Sequence, residues 1–103
     1  MGRFGFKLTI QPGAEEEYLL RHQTVYPELL QAFREVGIKT YSIFMDGLTL
    51  FAYMEVDDFE TAMETLNKHP ANIKWQKFMS DILIKDASGL TMQVLPEVFF
   101  FKA

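Results

Sequence analysis

Two alternating apolar runs joined at Asp46-Gly47 constrain this chain more than any other feature. Residues 39–45 (KTYSIFM) and 48–56 (LTLFAYMEV) read as strands, and an Asp-Gly link between such runs is the strongest short hairpin signal. The spacing predicts an antiparallel hairpin closed by Asp46-Gly47 in a type I′ turn. In its first strand Tyr41, Ile43 and Met45 share one face, and Thr40, Ser42 and Phe44 share the other.

The segments around the hairpin have their own periods. Phe4, Phe6, Leu8 and Ile10 alternate with Gly5, Lys7 and Thr9, a strand with one buried face that ends at Pro12-Gly13. Pro12 is also able to open a helix, and Glu15, Glu16 and Glu17 suit the positive end of a helix dipole. The helical pattern continues to about Val36, with Arg34 in its last turn and Gly37 as its C-terminal cap. Pro27 interrupts it and predicts a kink or a break near Val25 and Tyr26. After the hairpin, Asp57-Asp58 caps a helix over about residues 59–67, whose buried stripe is Phe59, Ala62, Met63 and Leu66. A second helix follows Pro70 to about Ile84, with Ile73, Phe78, Ile82 and Leu83 as its core positions. Residues 85–89 form a polar loop. Residues 91–101 read as a last strand, placed at an edge or bulged by Pro96.

Strand, helix, strand, strand, helical region, strand is the ferredoxin-like β-α-β-β-α-β order. It implies an α+β domain with a four-stranded antiparallel sheet and helices on one face. At 103 residues the chain suits a single domain over its whole length, residues 1–103. Its composition is 49% hydrophobic with ten Phe, so apolar residues fall on both sides of the strands. Helices cover only one side. A second copy packed sheet against sheet would bury the other, and a homodimer is expected. The net charge of −4 argues against nucleic acid or an anionic membrane as partner, and no apolar run approaches the roughly 20 residues of a membrane span. The N-terminus lacks the continuous apolar run of a signal peptide, so a soluble cytoplasmic protein is expected.

Tyr18 and His22 carry the clearest chemical signal. Four residues apart on a helix they share one face, and Tyr26 would continue the row but for Pro27. An imidazole titrates near neutral pH and a phenol can orient a polar ligand. The blander alternative is a solvated or capping histidine beside a half-buried packing tyrosine. His69, before Pro70, is expected at the surface without a role. The absence of cysteine excludes disulfides and thiolate chemistry, and two histidines far apart argue against a His-rich metal site. Glu15, Glu16 and Glu17 are better read as a solvated helix start than as a metal cluster. No phosphate loop, nucleophile elbow or dinucleotide fingerprint is present. Tyr41 and Trp75 offer aromatic faces that stack on the C–H surfaces of sugars. A pocket of one His, several Tyr and one Trp suits a neutral, hydroxyl-rich ligand, with no fixed positive charge unless Arg21 or Lys74 turns inward.

Glu17-Tyr18, Arg21-His22, Tyr26-Pro27-Glu28-Leu29, residues 41–46 (YSIFMD), 75–79 (WQKFM) and 95–99 (LPEVF) together resemble the L-rhamnose mutarotase family, collinearly over about residues 3–101. The resemblance implies a homodimeric ferredoxin-like α+β barrel without metal or cofactor, interconverting the α and β anomers of a 6-deoxy-hexose. It also implies that His22 transfers the proton, that Tyr18 and Tyr41 contact the sugar, and that Trp75 forms part of the pocket wall. Many relatives have Trp where this chain has Tyr26, and a second Trp where it has Gln76. Residues 85–89 replace a family segment rich in Asn, Pro, Asp and Ser. These three places shape the pocket, so L-rhamnose is the first expectation and L-fucose the next. A cofactor-independent monooxygenase, or a non-catalytic binding module on the same scaffold, are the competing readings.

Overall fold

A computed structural model describes residues 2–103. The elements run β1 (Gly2–Thr9), α1 (Glu15–His22), α2 (Pro27–Glu35), β2 (Ile38–Asp46), β3 (Thr49–Val56), α3 (Phe59–Lys68), α4 (Pro70–Met79) and β4 (Gln93–Leu95). The strands form one antiparallel sheet in the order β2-β3-β1-β4. This is the expected α+β, ferredoxin-like arrangement, with each helical stretch divided in two. A proline stands at the start of the second helix in both cases, Pro27 in α2 and Pro70 in α4. There the missing N–H costs nothing, because the first turn has no acceptor for it.

Strand register sorts the two faces. Leu50, Ala52, Met54 and Val56 of β3 and Phe6 of β1 are buried beneath the helices. The alternate residues open outward: Phe44 is paired directly with Phe51, and Ser42 with Tyr53, and all three aromatic rings are exposed. The core splits into a cluster built on Ile10, Tyr18, Leu29, Leu50, Trp75 and Met79 and another built on Phe6, Met54, Val56 and Ala62. The faces of β2 alternate as expected, with Tyr41, Ile43 and Met45 inward. Asp58 caps α3, its carboxylate accepting from the Thr61 backbone N–H at 3.1 Å and from the Thr61 hydroxyl at 2.8 Å. Gly37 closes α2 at φ 85°, a conformation that only a residue without Cβ adopts freely.

Several local expectations are corrected. The hairpin is one residue out: Asp46 pairs with Thr49, so the loop is Gly47-Leu48. Gly47 has φ 59° and no described non-glycine residue has positive φ, the sign pattern of a type II′ turn rather than type I′. Leu48 packs on the core and its carbonyl accepts from Ile10 N–H at 2.9 Å, which sets that register. Pro12 lies in a turn, and α1 begins three residues later.

The second helix of the pair α3–α4 stops at Met79 instead of about Ile84. Residues 82–84 run alongside residues 9–11, with Gln11 N–H donating to the Ile82 carbonyl and Ile84 N–H to the Thr9 carbonyl. Its inward stripe is Ala71, Trp75 and Met79 at spacing four, leaving Ile73 and Phe78 exposed, whereas Ile82 is buried and Leu83 packs on the core as expected. Ile73 is two residues from Trp75, about 200° round the helix, so both cannot face inward. The last strand is three residues long, not eleven. It does occupy a sheet edge, and Pro96 ends it, after which residues 96–103 have no regular structure.

Candidate active site

The helix α1 has acidic residues in its first turn and Arg21 and His22 in its last, each matched to the nearer end of the dipole. Tyr18 is its one buried residue. Spacing four brings Tyr18 and His22 face to face, with ring centroids 4.1 Å apart and planes 24° from parallel. The His22 Nδ1 lies 3.0 Å from the Tyr18 carbonyl oxygen. A carbonyl only accepts, so Nδ1 carries the hydrogen in this contact, and in the neutral ring Nε2 keeps its lone pair. Trp75, from α4, meets the imidazole edge-on at 5.2 Å.

These groups line a cavity of about 390 Å³ between the sheet and the α1–α2 pair. Tyr41 from β2 stands across it, its ring 5.5 Å from Phe33 of α2. Leu19, Val25, Leu29, Ile43 and Met45 supply much of the remaining wall. Burial governs the protonation states. It lowers the His22 pKa below the ordinary histidine value, with the bond to the Tyr18 carbonyl partly offsetting it. It pushes Tyr18 up to about 12. It pushes Tyr41 further still, aided by the neighbouring Tyr18. At neutral pH the site therefore holds an uncharged imidazole and two protonated phenols, one acceptor and two donors.

Neither cation turns inward. Arg21 is engaged by Asp81, Glu17 and the Phe78 carbonyl. Lys74 sits over the Tyr26 ring and 3.6 Å from Glu28. The cavity is thus suited to a neutral ligand, as expected. The two remaining residues assigned to the ligand lie elsewhere. Pro27 holds Tyr26 in an extended conformation, φ −56° and ψ 128°, so Tyr26 leaves the Tyr18–His22 row and backs Trp75 edge-on at 5.0 Å. Gln76 is exposed and lines a second cavity of about 570 Å³, whose wall also includes Asn72, Asp86 and Gln93. Phe33, Tyr41 and Trp75 line both cavities.

His69 is a capping residue. Its Nδ1 accepts from the Ala71 N–H at 3.1 Å, and its Nε2 lies 3.4 Å from Glu35. Glu16 and Glu17 are exposed, as a solvated helix start requires, but the Glu15 Oε1 is buried without a partner. Among the described residues no cluster of three or more His, Asp or Glu could hold a metal, and no helix is long and apolar enough to cross a membrane. Sequence reasoning missed Phe33 and the leucines of α1 and α2 as cavity walls. Their signal was present in the inward face of Tyr41, Ile43 and Met45, which needs an opposing apolar surface.

Fold and cavity together define a ferredoxin-like α+β domain whose aromatic cavity holds one imidazole and no charged side chain. The L-rhamnose mutarotase family model matches residues 3–101. The L-rhamnose mutarotase of Burkholderia ambifaria is 37% identical over 95 residues, covering 90% of each chain. The crystal structure of L-rhamnose mutarotase from Formosa agariphila aligns with a TM-score of 0.84 at 31% identity, over 99% of this chain and 100% of that one. A solved antibiotic biosynthesis monooxygenase aligns at 0.62 with 13% identity over 93% and 97%, a likeness of fold alone. The chain belongs to the L-rhamnose mutarotase family.

Proposed function

We propose that this chain is an isomerase that interconverts the α and β anomers of L-rhamnose, with His22 as the proton-transfer residue. The observation that carries this is the stacked Tyr18–His22 pair, whose Nδ1 is held by a backbone carbonyl and whose Nε2 is left as a base. Nε2 takes the proton of the anomeric hydroxyl. The C1–O1 bond becomes the aldehyde carbonyl as the bond from C1 to the ring oxygen breaks. The two oxygens share one carbon, so the imidazolium can return its proton to the ring oxygen. Rotation about C1–C2 and the reverse steps close the ring from the other face. Tyr18 and Tyr41, both kept protonated by burial, donate hydrogen bonds to sugar oxygens rather than protons. Such general acid–base catalysis contributes about 10²–10⁴-fold.

Trp75 supplies an aromatic wall for the C–H face of the sugar, and Tyr26 supports it from behind. Gln76, which lines the neighbouring cavity, would meet the sugar only from that side. Wild type and His22→Ala compared by saturation-transfer NMR on L-rhamnose test the reading. Equal acceleration by both removes His22 from the mechanism, and no acceleration by either moves the substrate to L-fucose.

The working form in this reading is a cytoplasmic homodimer. Its support is the open sheet face with Phe44 at 65% and Phe51 at 43% exposed, together with a C-terminal segment in which Val98, Phe99 and Phe101 are exposed.

A further inference from the structure

Helix α1 carries the stacked pair, yet it has little to hold it. It is two turns long, Tyr18 is its one buried residue, and Leu19 and Leu20 are more than half exposed. Isolated helices of this length are not stable in water. The chain leaves it through residues 23–26, which form no helix. The end that bears His22 therefore needs an attachment, and the residue before it provides one.

The Arg21 guanidinium is a fork in two directions. Its Nη1 donates to the Phe78 carbonyl at 2.8 Å and to Asp81 Oδ1 at 2.9 Å, and its Nη2 donates to Asp81 Oδ2 at 3.2 Å. Its Nε donates to Glu17 Oε1, one turn back on α1, at 2.8 Å. The group also lies 4.5 Å above the Phe78 ring. The Arg21 side chain is only 14% exposed, although Asp81 is 67% exposed. The Phe78 carbonyl belongs to the last turn of α4, where no intrahelical donor remains for it. One turn earlier on that helix is Trp75, which meets His22 edge-on. Residues 21 and 22 of α1 are thus matched to residues 78 and 75 of α4.

We propose that Arg21 is a positioning residue, a latch that fixes the end of α1 on α4 and so holds His22 between Tyr18 and Trp75. It does not line the cavity, and it acts through the imidazole. The proposal rests on the reading of His22 as the proton-transfer residue. The titratable side chains that line the cavity with His22 are Tyr18 of its own helix and Tyr41 of β2; α4 presents the indole of Trp75, and α2 presents Leu29, Leu30 and Phe33.

The test is NMR titration of the two histidines in wild type, Arg21→Met and Arg21→Lys, with anomer exchange of L-rhamnose measured on the same samples. In Arg21→Met the unlatched imidazole of His22 gains water, so its midpoint rises toward the ordinary value of about 6.5. Turnover falls by about 10–100-fold, with sugar affinity changed much less, as for a misplaced catalytic group. Lys restores the charge but not the fork, so Arg21→Lys recovers little turnover. A folded Arg21→Met protein with wild-type midpoint and turnover overturns the latch. Should that variant fail to fold, Asp81→Asn, which leaves the Phe78 carbonyl contact, must shift the His22 midpoint the same way, and an unchanged midpoint overturns the proposal. The titration needs no turnover. A wild type inactive on L-rhamnose would move the substrate to L-fucose, while the rise in midpoint would still establish the latch.

Discussion

Tyr18 meets His22 twice, with its ring 4.1 Å from the imidazole centroid and with its carbonyl oxygen 3.0 Å from Nδ1. One residue thereby sets both the plane and the tautomer of the base. The helix supplies this for nothing further, because spacing four places a side chain over the preceding turn, where the carbonyl is.

Removing the imidazole should be the most damaging single change. His22→Ala is expected to lower anomer exchange by about 10²–10⁴-fold, read by saturation-transfer NMR.

Tyr18→Phe keeps the stack and the carbonyl but loses the hydroxyl. Thermal stability is expected to change by no more than about 1 kcal/mol, since a single hydrogen bond contributes about that much. The efficiency of exchange should fall by about tenfold, equivalent to 1.4 kcal/mol of transition-state binding. A variant with unchanged efficiency would show that the hydroxyl does not touch the sugar.

The pH dependence follows from His22. Its folded pKa is below the ordinary value, and in the proposed mechanism the reacting form is the neutral ring. Exchange is therefore expected to be flat near pH 7 and to fall as pH drops through a midpoint below about 6.5. Stability moves in the same direction. The unfolded chain binds the proton more readily than the folded one, so acidification from about pH 6.5 to the folded midpoint destabilises the protein, and the loss then levels off. A rate profile with its acid limb above pH 7 would contradict the assignment.

Trp75 is 6% exposed and touches the rings of His22, Tyr26 and Phe78. Trp75→Ala should cost about 3–5 kcal/mol. In a domain of this size that corresponds to a fall in melting temperature of more than about 12 °C, measurable by calorimetry. Trp75→Phe, which keeps an aromatic face, should fold and bind the sugar more weakly.

Phe44 and Phe51 form a direct cross-strand pair on the open sheet face. Charging both, as Phe44→Glu with Phe51→Glu, should convert a dimer into a folded monomer in sedimentation velocity. A wild-type protein that is monomeric at micromolar concentration would sink the interface.

Much of the design is local and can be read along the chain. The Tyr18–His22 pair, the break at Pro27, the Asp58 cap and the glycine ending α2 each depend on residues within four positions of one another. So does the order of elements, since strand and helix periods are properties of short windows. What lay outside such windows was decided by packing. Leu48 was drawn into the core and moved the hairpin by one residue. Trp75 took the inward position on α4 and turned Ile73 out. Pro27 redirected the chain, so Tyr26 supports the indole instead of extending the row, and Gln76 opens on the neighbouring cavity. The sequence by itself determined that Tyr18 and His22 share one face of a helix, whereas packing decided that Arg21 and Lys74 stay out of the cavity. The tertiary structure alone decided which aromatic rings wall the cavity and which only stand behind it, because that choice depends on contacts between residues more than fifty positions apart, such as His22 and Trp75.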